Sequence, residues 1–234
     1  MSASILKCIA MISMLIDHVG VVFSPWLEPE VYTMLRALGR TAFPLYAFML
    51  VEGAVHTKNA PKYLLRLVIF SLISEVPFDF AFYSRTGSLL YWQHQNVFIT
   101  LSIGLAAIIL LEKVRKSTIN LGLQNLLVGV IALLACLLVD FTYGDYGYLG
   151  VALILFLYFL KAFPRIAPLV ILLWLAYYDW STGFVMELYG IPAALLIVFY
   201  NGRKGGSHLP KWFFYGFYPA HLLFLACLRQ ILMR

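Results

Sequence analysis

The sequence is poor in charge. Of its 234 residues only 12% are Asp, Glu, Lys or Arg, roughly half the usual share of about 25% for a soluble domain. Hydrophobic residues make up 62% and the mean hydropathy is +0.87. A core surrounded by water cannot absorb that much apolar surface, so part of it must face lipid. No long linker, low-complexity stretch or clear internal repeat breaks the chain, which argues against several soluble domains in tandem. Cysteine is scarce too. Cys8, Cys136 and Cys227 lie in apolar stretches without paired spacing, and they read as small buried hydrophobes. There is no zinc-type His/Cys spacing and no HExxH, so no metal is expected. A GxSxG elbow and a phosphate loop are also missing.

What charge there is leans basic: 17 Lys and Arg against 11 Asp and Glu, a net charge of +6. The basic residues sit mostly in short loops between apolar segments. That is the pattern of cytoplasmic loops in a membrane protein, not a nucleic-acid-binding stripe. Only Lys7 precedes the first apolar run, and Asp17-His18 interrupts that run. With no small-residue cleavage site, it reads as a retained helix and not as a signal peptide.

A helix needs about 20 mostly apolar residues to span a bilayer. Nine candidate segments follow, at 4–23, 31–55, 63–83, 97–112, 122–140, 146–161, 166–178, 184–200 and 212–231. The expected class is all-α, one polytopic bundle over 1–234 with about nine spans. The sixth and seventh are short enough to be half-helices. With the N-terminus in the cytoplasm, the inner side collects Lys7, Lys58, Lys62, Arg66, Lys113, Arg115, Lys116, Lys161, Arg165, Arg203, Lys204 and Lys211. The outer loops collect Glu28, Glu30, Asp140, Asp145 and Asp179, with Arg85 as their one basic residue, and Arg229 and Arg234 fall at the outer C-terminal end. This alternation predicts an N-in, C-out topology.

Ionisable groups inside membrane segments are expensive and normally face a protein interior or a wet cavity. Asp17 and His18 fall in the outer half of the first segment. Arg36 and Arg40 are four apart and share a helix face, so Asp17 is a candidate partner for either. Ser71, Glu75 and Asp79 form a second i, i+4 stripe. His94 and Asn96 sit in the outer connection, and Tyr218 and His221 are three apart in the last segment. A buried ion-pair cluster locking helices together is one reading of the arginines and carboxylates. A neutral histidine is the usual general base near pH 7, so the other reading is group transfer on His18. Proton-coupled transport of a small molecule through the same Asp/Glu/His/Arg cluster is the alternative function.

Specific motifs then carry a resemblance. Met14-Leu15-Ile16-Asp17-His18-Val19-Gly20, Gly39-Arg40-Thr41-Ala42-Phe43-Pro44-Leu45-Tyr46, Val51-Glu52-Gly53 and His56-Thr57-Lys58-Asn59 resemble the TraX family. So do Ser74-Glu75-Val76-Pro77-Phe78-Asp79, Asn96-Val97-Phe98, Asp145-Tyr146-Gly147 and Phe213-Phe214-Tyr215-Gly216-Phe217-Tyr218-Pro219-Ala220-His221-Leu222. The family's named member acetylates a pilin N-terminus in the bacterial inner membrane. More distantly, a histidine late in the first helix is similar to the transmembrane acyltransferases, although Val51-Glu52-Gly53 stands where some relatives show Ser-Gly.

The resemblance implies an acetyltransferase with acetyl-CoA as donor and His18 as general base, supported by Asp17 and with His221 as a second candidate. The acceptor is an outward-facing peptide N-terminus, amino sugar or other small amine or hydroxyl. Glu75, Asp79 and Asp140 are candidates to bind a cationic amine, and Arg36 and Arg40 an acidic group, with His94, Asn96 and Tyr218 nearby. His56, Lys58, Arg66, Lys113, Lys204 and Lys211 are candidates to hold the coenzyme A phosphates, with Glu52 beside them.

Overall fold

The computed structural model describes residues 1–83, 90–183, 185–206 and 210–232, and within the last stretch not the side chain of Lys211. Arg85 and Arg234 lie outside the described residues. Among those described there are helices and no strand. The order is α1 (Ala3–Val22), α2 (Pro29–Gly39), α3 (Ala42–His56), α4 (Ala60–Phe82), α5 (Val97–Arg115), α6 (Leu121–Phe141), α7 (Gly147–Phe159), α8 (Ala167–Thr182), α9 (Ile191–Val198) and α10 (Lys211–Leu232). Three connections end in an asparagine cap. The side chains of Asn59, Asn96 and Asn120 accept from Lys62 N, Phe98 N and Leu123 N at 2.9, 3.0 and 2.8 Å, satisfying a first-turn donor of α4, α5 and α6.

The segment expected at 31–55 is not one helix. It breaks at Arg40-Thr41 into α2 and α3. Pro44 matches the position of the break: it lacks the N–H that would bond the Arg40 carbonyl four residues back, and in the first turn of α3 that missing donor costs nothing, whereas Pro77 and Pro219 lie inside α4 and α10. The later segments also differ. α7, α8 and α9 have 13, 16 and 8 residues, all short of a full span. Among the described residues three helices, α1, α5 and α6, are long and apolar enough to cross a membrane. α4 has 23 residues but carries Lys62, Arg66, Glu75 and Asp79. The cysteines are a further correction. Cys8 and Cys227 are exposed and Cys136 is half-buried. On helices this apolar, an outward thiol sits as comfortably against a hydrocarbon surface as an inward one does in a core.

α1 packs against α2, α3 and α10, and α4 fits between α10 and α5. α3, α5 and α7 form the centre, where Leu45, Leu105, Leu153 and Ile154 have no exposed surface. α6 is peripheral, its apolar window only 11% buried against 56% for α5. Where the surroundings are hydrocarbon, such helices are held by close packing and by buried polar contacts. Those polar contacts concentrate at one end of the bundle.

Candidate active site

That end encloses a cavity of about 310 Å³, walled by α1, the α2–α3 junction, the end of α4 and the loops before α5 and α7. Asp17, His18, Arg36, Arg40, His94, Asp145, Tyr146 and Tyr218 all line it. One wall is an ion cluster. Asp17 Oδ1 accepts from Arg40 Nη2 at 2.6 Å, and Asp17 Oδ2 from Arg36 Nη1. Arg40 Nη1 donates to Glu187 Oε1 at 2.7 Å. Asp17 reaches the arginines because Gly39 has no side chain: a Cβ there would lie 2.1 Å from Asp17 Oδ1. Ser13 Oγ completes the junction by donating to the Leu38 carbonyl at 2.5 Å, near the end of α2.

His18 belongs to a different cluster, because neighbours on a helix point about 100° apart. Its Nδ1 is 2.6 Å from His221 Nε2, and His221 Nδ1 is 2.7 Å from the Phe217 carbonyl. A carbonyl only accepts, so His221 carries its proton on Nδ1 and accepts through Nε2. His18 therefore donates from Nδ1, and in its neutral form the lone pair lies on Nε2. Among the described residues no hydrogen bond engages that nitrogen. Phe82 and Tyr218 pack edge-on against the His18 ring, at 5.2 and 5.8 Å between centroids, which fixes its orientation.

His94 enters the cavity from the 90–96 loop. Its Nε2 faces Asp145 Oδ1 at 3.3 Å and its Nδ1 meets the Tyr83 hydroxyl at 2.5 Å. The loop is pinned from two sides. Asn96 Nδ2 donates to Glu75 Oε2 at 2.5 Å and to the Ser71 carbonyl at 2.9 Å, and Asp79 Oδ2 accepts from Tyr91 N at 2.8 Å. Gln95 N donates to the Tyr143 carbonyl and Asp145 N to the Gln95 carbonyl, at 2.8 and 3.1 Å. The facing turn holds two tyrosines in left-handed conformations, Tyr143 (φ 52°) and Tyr146 (φ 63°), a geometry that costs about 1–2 kcal/mol at a non-glycine residue. Tyr146 is held there by stacking on Phe43, 3.8 Å between centroids. Burial alone pushes His94 down, but the hydrogen bond and charge of Asp145, with Glu75 and Asp79, outweigh it and hold the imidazole above its ordinary value.

The residues singled out in the sequence thus divide. Asp17, His18, Arg36, Arg40, His94 and Tyr218 meet at the cavity, and His221 stands behind His18. Glu75, Asp79 and Asn96 do not pair with the arginines. They fasten the loop that carries His94. Asp140 is exposed, away from the cavity wall, and accepts from Tyr148 N at 2.7 Å in the first turn of α7. The cofactor candidates lie at the opposite helix ends. Glu52 accepts from Tyr200 Oη at 2.9 Å and lies beside His56. Arg66 lies over the Tyr63 and Tyr215 rings, and Lys58, Lys113 and Lys204 are exposed. The Lys211 side chain is outside the described residues. About 20 Å of α3 separates His56 from the cavity end of that helix. Glu187, buried to 1% exposure, and the His94 partners Tyr83 and Asp145 were not singled out for the site. A lone glutamate opening an apolar run was the available signal for Glu187.

The family described as TraX protein matches residues 2–229. The chain belongs to the TraX family. It is also 32% identical to the "Probable fimbrial assembly protein FimC, serogroup H1" of Dichelobacter nodosus, over 99% of this chain and 97% of that protein. No solved structure matches. With its apolar helices and this relative, the chain is a membrane protein of the TraX kind. Chemically, the cavity offers a neutral imidazole nitrogen, a paired guanidinium wall and a carboxylate-backed histidine.

Proposed function

We propose that this TraX-family chain is a membrane-embedded acetyltransferase that moves an acetyl group from cytoplasmic acetyl-CoA to an amine or hydroxyl on the outer side. It crosses the bacterial inner membrane several times as one domain, with its N-terminus in the cytoplasm. The observation that carries the reading is the chain of hydrogen bonds from the Phe217 carbonyl through His221 to His18. It sets the tautomer of neutral His18 so that Nε2 keeps the lone pair, on a ring that lines the cavity, as a general base requires. His18 takes the proton from the attacking atom as the carbonyl–acceptor bond forms, and passes it to sulfur as the carbon–sulfur bond breaks. The basic ends around Lys58, Arg66, Lys113 and Lys204 suit the polyanionic part of coenzyme A. The fimbrial relative favours a pilin-type subunit as the acceptor's source.

The test is acetyl-CoA consumption by the purified protein in nanodiscs, with a peptide bearing a free N-terminal amine as the acceptor probe. His18→Ala and His18→Gln should fold and lose at least about 100-fold in turnover. Wild-type turnover in both folded variants would remove His18 from the reaction. Flux of a small molecule without acetyl transfer would favour a transporter.

A further inference from the structure

The cavity holds a second histidine whose chemistry the His18 step does not use. His94 stands between a carboxylate and a phenol: Asp145 Oδ1 lies 3.3 Å from Nε2, and the Tyr83 hydroxyl lies 2.5 Å from Nδ1. Asp145 accepts only, so Nε2 carries a proton and neutral His94 accepts the phenolic hydrogen at Nδ1. Tyr83, His94 and Asp145 all line the same cavity as His18. His94 and Asp145 also reach solvent, their side chains being 38% and 32% exposed. The array is therefore a hydrogen-bonded path from the cavity to water.

Proton stoichiometry gives it a task. An α-amine has an ordinary pKa of about 8, so at pH 7 it arrives mostly as an ammonium. Acetylating that ammonium takes two protons off its nitrogen, one of which ends on the leaving thiol and one in solvent. His18 moves one of them from the attacking nitrogen to the leaving sulfur, and the other must go elsewhere before nitrogen has a lone pair to attack with. We infer that Tyr83, backed by His94 and Asp145, is a second catalytic group that takes this first proton from a cationic acceptor. The inference rests on the acetyltransferase reading above. The ammonium gives its proton to the Tyr83 oxygen as the Tyr83 hydrogen passes to His94 Nδ1. The resulting imidazolium is held by Asp145. The neutral amine then attacks the thioester, the carbon–sulfur bond breaks, and the His94 proton leaves to solvent. The charged and titratable groups facing His94 are Glu75 and Asp79 from α4, Asp145 from the facing turn, and Tyr83. Tyr91 stacks on Tyr83 at 4.1 Å between centroids.

The experiment measures kcat/KM for the free-amine peptide against pH, from pH 6 to 10, in nanodiscs. Tyr83→Phe and His94→Gln should lose up to about 10-fold at pH 7, where roughly a tenth of an amine with a pKa of about 8 is already neutral. The deficit should shrink as pH passes the amine's own value, because the acceptor then arrives deprotonated. His18→Gln should stay deficient at every pH. A loss of constant size across the range, or no loss, would overturn the role of Tyr83 while leaving His18 in place. If the wild-type protein transfers no acetyl group, the acetyltransferase reading fails, and the relay is judged by ring-15N NMR of the histidines. Asp145→Asn should then lower the pH at which His94 titrates, and an unmoved midpoint would overturn the relay itself.

Discussion

Asp17 and His18 are adjacent in the sequence yet serve two clusters of opposite kinds. Asp17 ties two guanidinium groups together and, through Arg40, reaches Glu187. That cluster nearly closes on itself; Arg36 Nε and Glu187 Oε2 are its buried atoms with no partner among the described residues. His18, a residue of the cavity wall, ends a chain of hydrogen bonds that leaves its second ring nitrogen without a hydrogen bond among the described residues. A closed set of charges has spent its bonding capacity on holding helices, whereas an open-ended one keeps an atom available for a reactant. On the proposed function, Asp17 belongs to the scaffold and His18 to the chemistry, although a TraX-like motif contains both.

The sharpest way to break this contrast is Asp17→Ala. It leaves Arg36 and Arg40 buried without their shared carboxylate, and removing one partner of a buried pair costs about 3–5 kcal/mol. Thermal unfolding in detergent should show a large loss, with activity falling in step with the folded fraction. Asp17→Asn keeps an acceptor and should fall between. A fully stable Asp17→Ala protein without activity would move Asp17 to the chemical side.

The converse variant is His221→Ala. It removes the group that fixes the His18 tautomer, and the expected loss is on the order of 100-fold in kcat with KM little changed. Truncating this buried ring, which packs on His18, Phe217 and Tyr218, also costs about 2–4 kcal/mol of stability, so kcat is taken per folded protein. His221→Gln keeps an acceptor at that position and should restore part of the rate. A kcat per folded protein equal to wild type in His221→Ala would make His221 a packing residue.

The same contrast explains what could be read from the sequence. The pairing of Asp17 with Arg36 and Arg40 was legible because i, i+4 spacing puts both arginines on one face and a lone buried aspartate needs a cation. His18 was legible by its depth. The partners from far along the chain were not. Glu187 lies 147 residues from Arg40, and His221 lies 203 residues from His18. Periodicity places a residue on its own helix, but it does not say which helix faces it. Asp145 looked like a charge marking an outer loop, since nothing local distinguishes a solvated carboxylate from one aimed at a histidine. Glu75 and Asp79 show the opposite error. Their stripe was real, but their partners are Asn96 and the backbone of Tyr91, because α4 turns that face towards the 90–96 loop. The break at Arg40-Thr41 had a visible marker in Pro44. It went unread because a proline in a first helical turn and a proline kinking a longer helix look alike in one sequence.

The smallest expected effect concerns the pH dependence of the His94 wall. Asp145 holds His94 above its ordinary value of about 6.5, so the folded protein binds this proton more tightly than the unfolded chain does. By linkage, the stabilisation is fully present below the unfolded value and is lost as pH rises through the folded one. Unfolding of wild type and Asp145→Asn in detergent, compared from pH 5 to 8.5, isolates it. The gap between the two proteins should be widest at the acid end and narrow towards pH 8. The bond that Asp145 Oδ1 accepts from Tyr146 N at 3.0 Å adds an offset that does not vary with pH, and groups common to both proteins largely cancel. The partial exposure of both side chains keeps the effect modest, since water screens such pairs. A gap of constant width would mean that Asp145 orients His94 without holding its charge. The cavity would then have one tautomer-fixed base and one merely anchored ring, instead of two histidines set to opposite tasks.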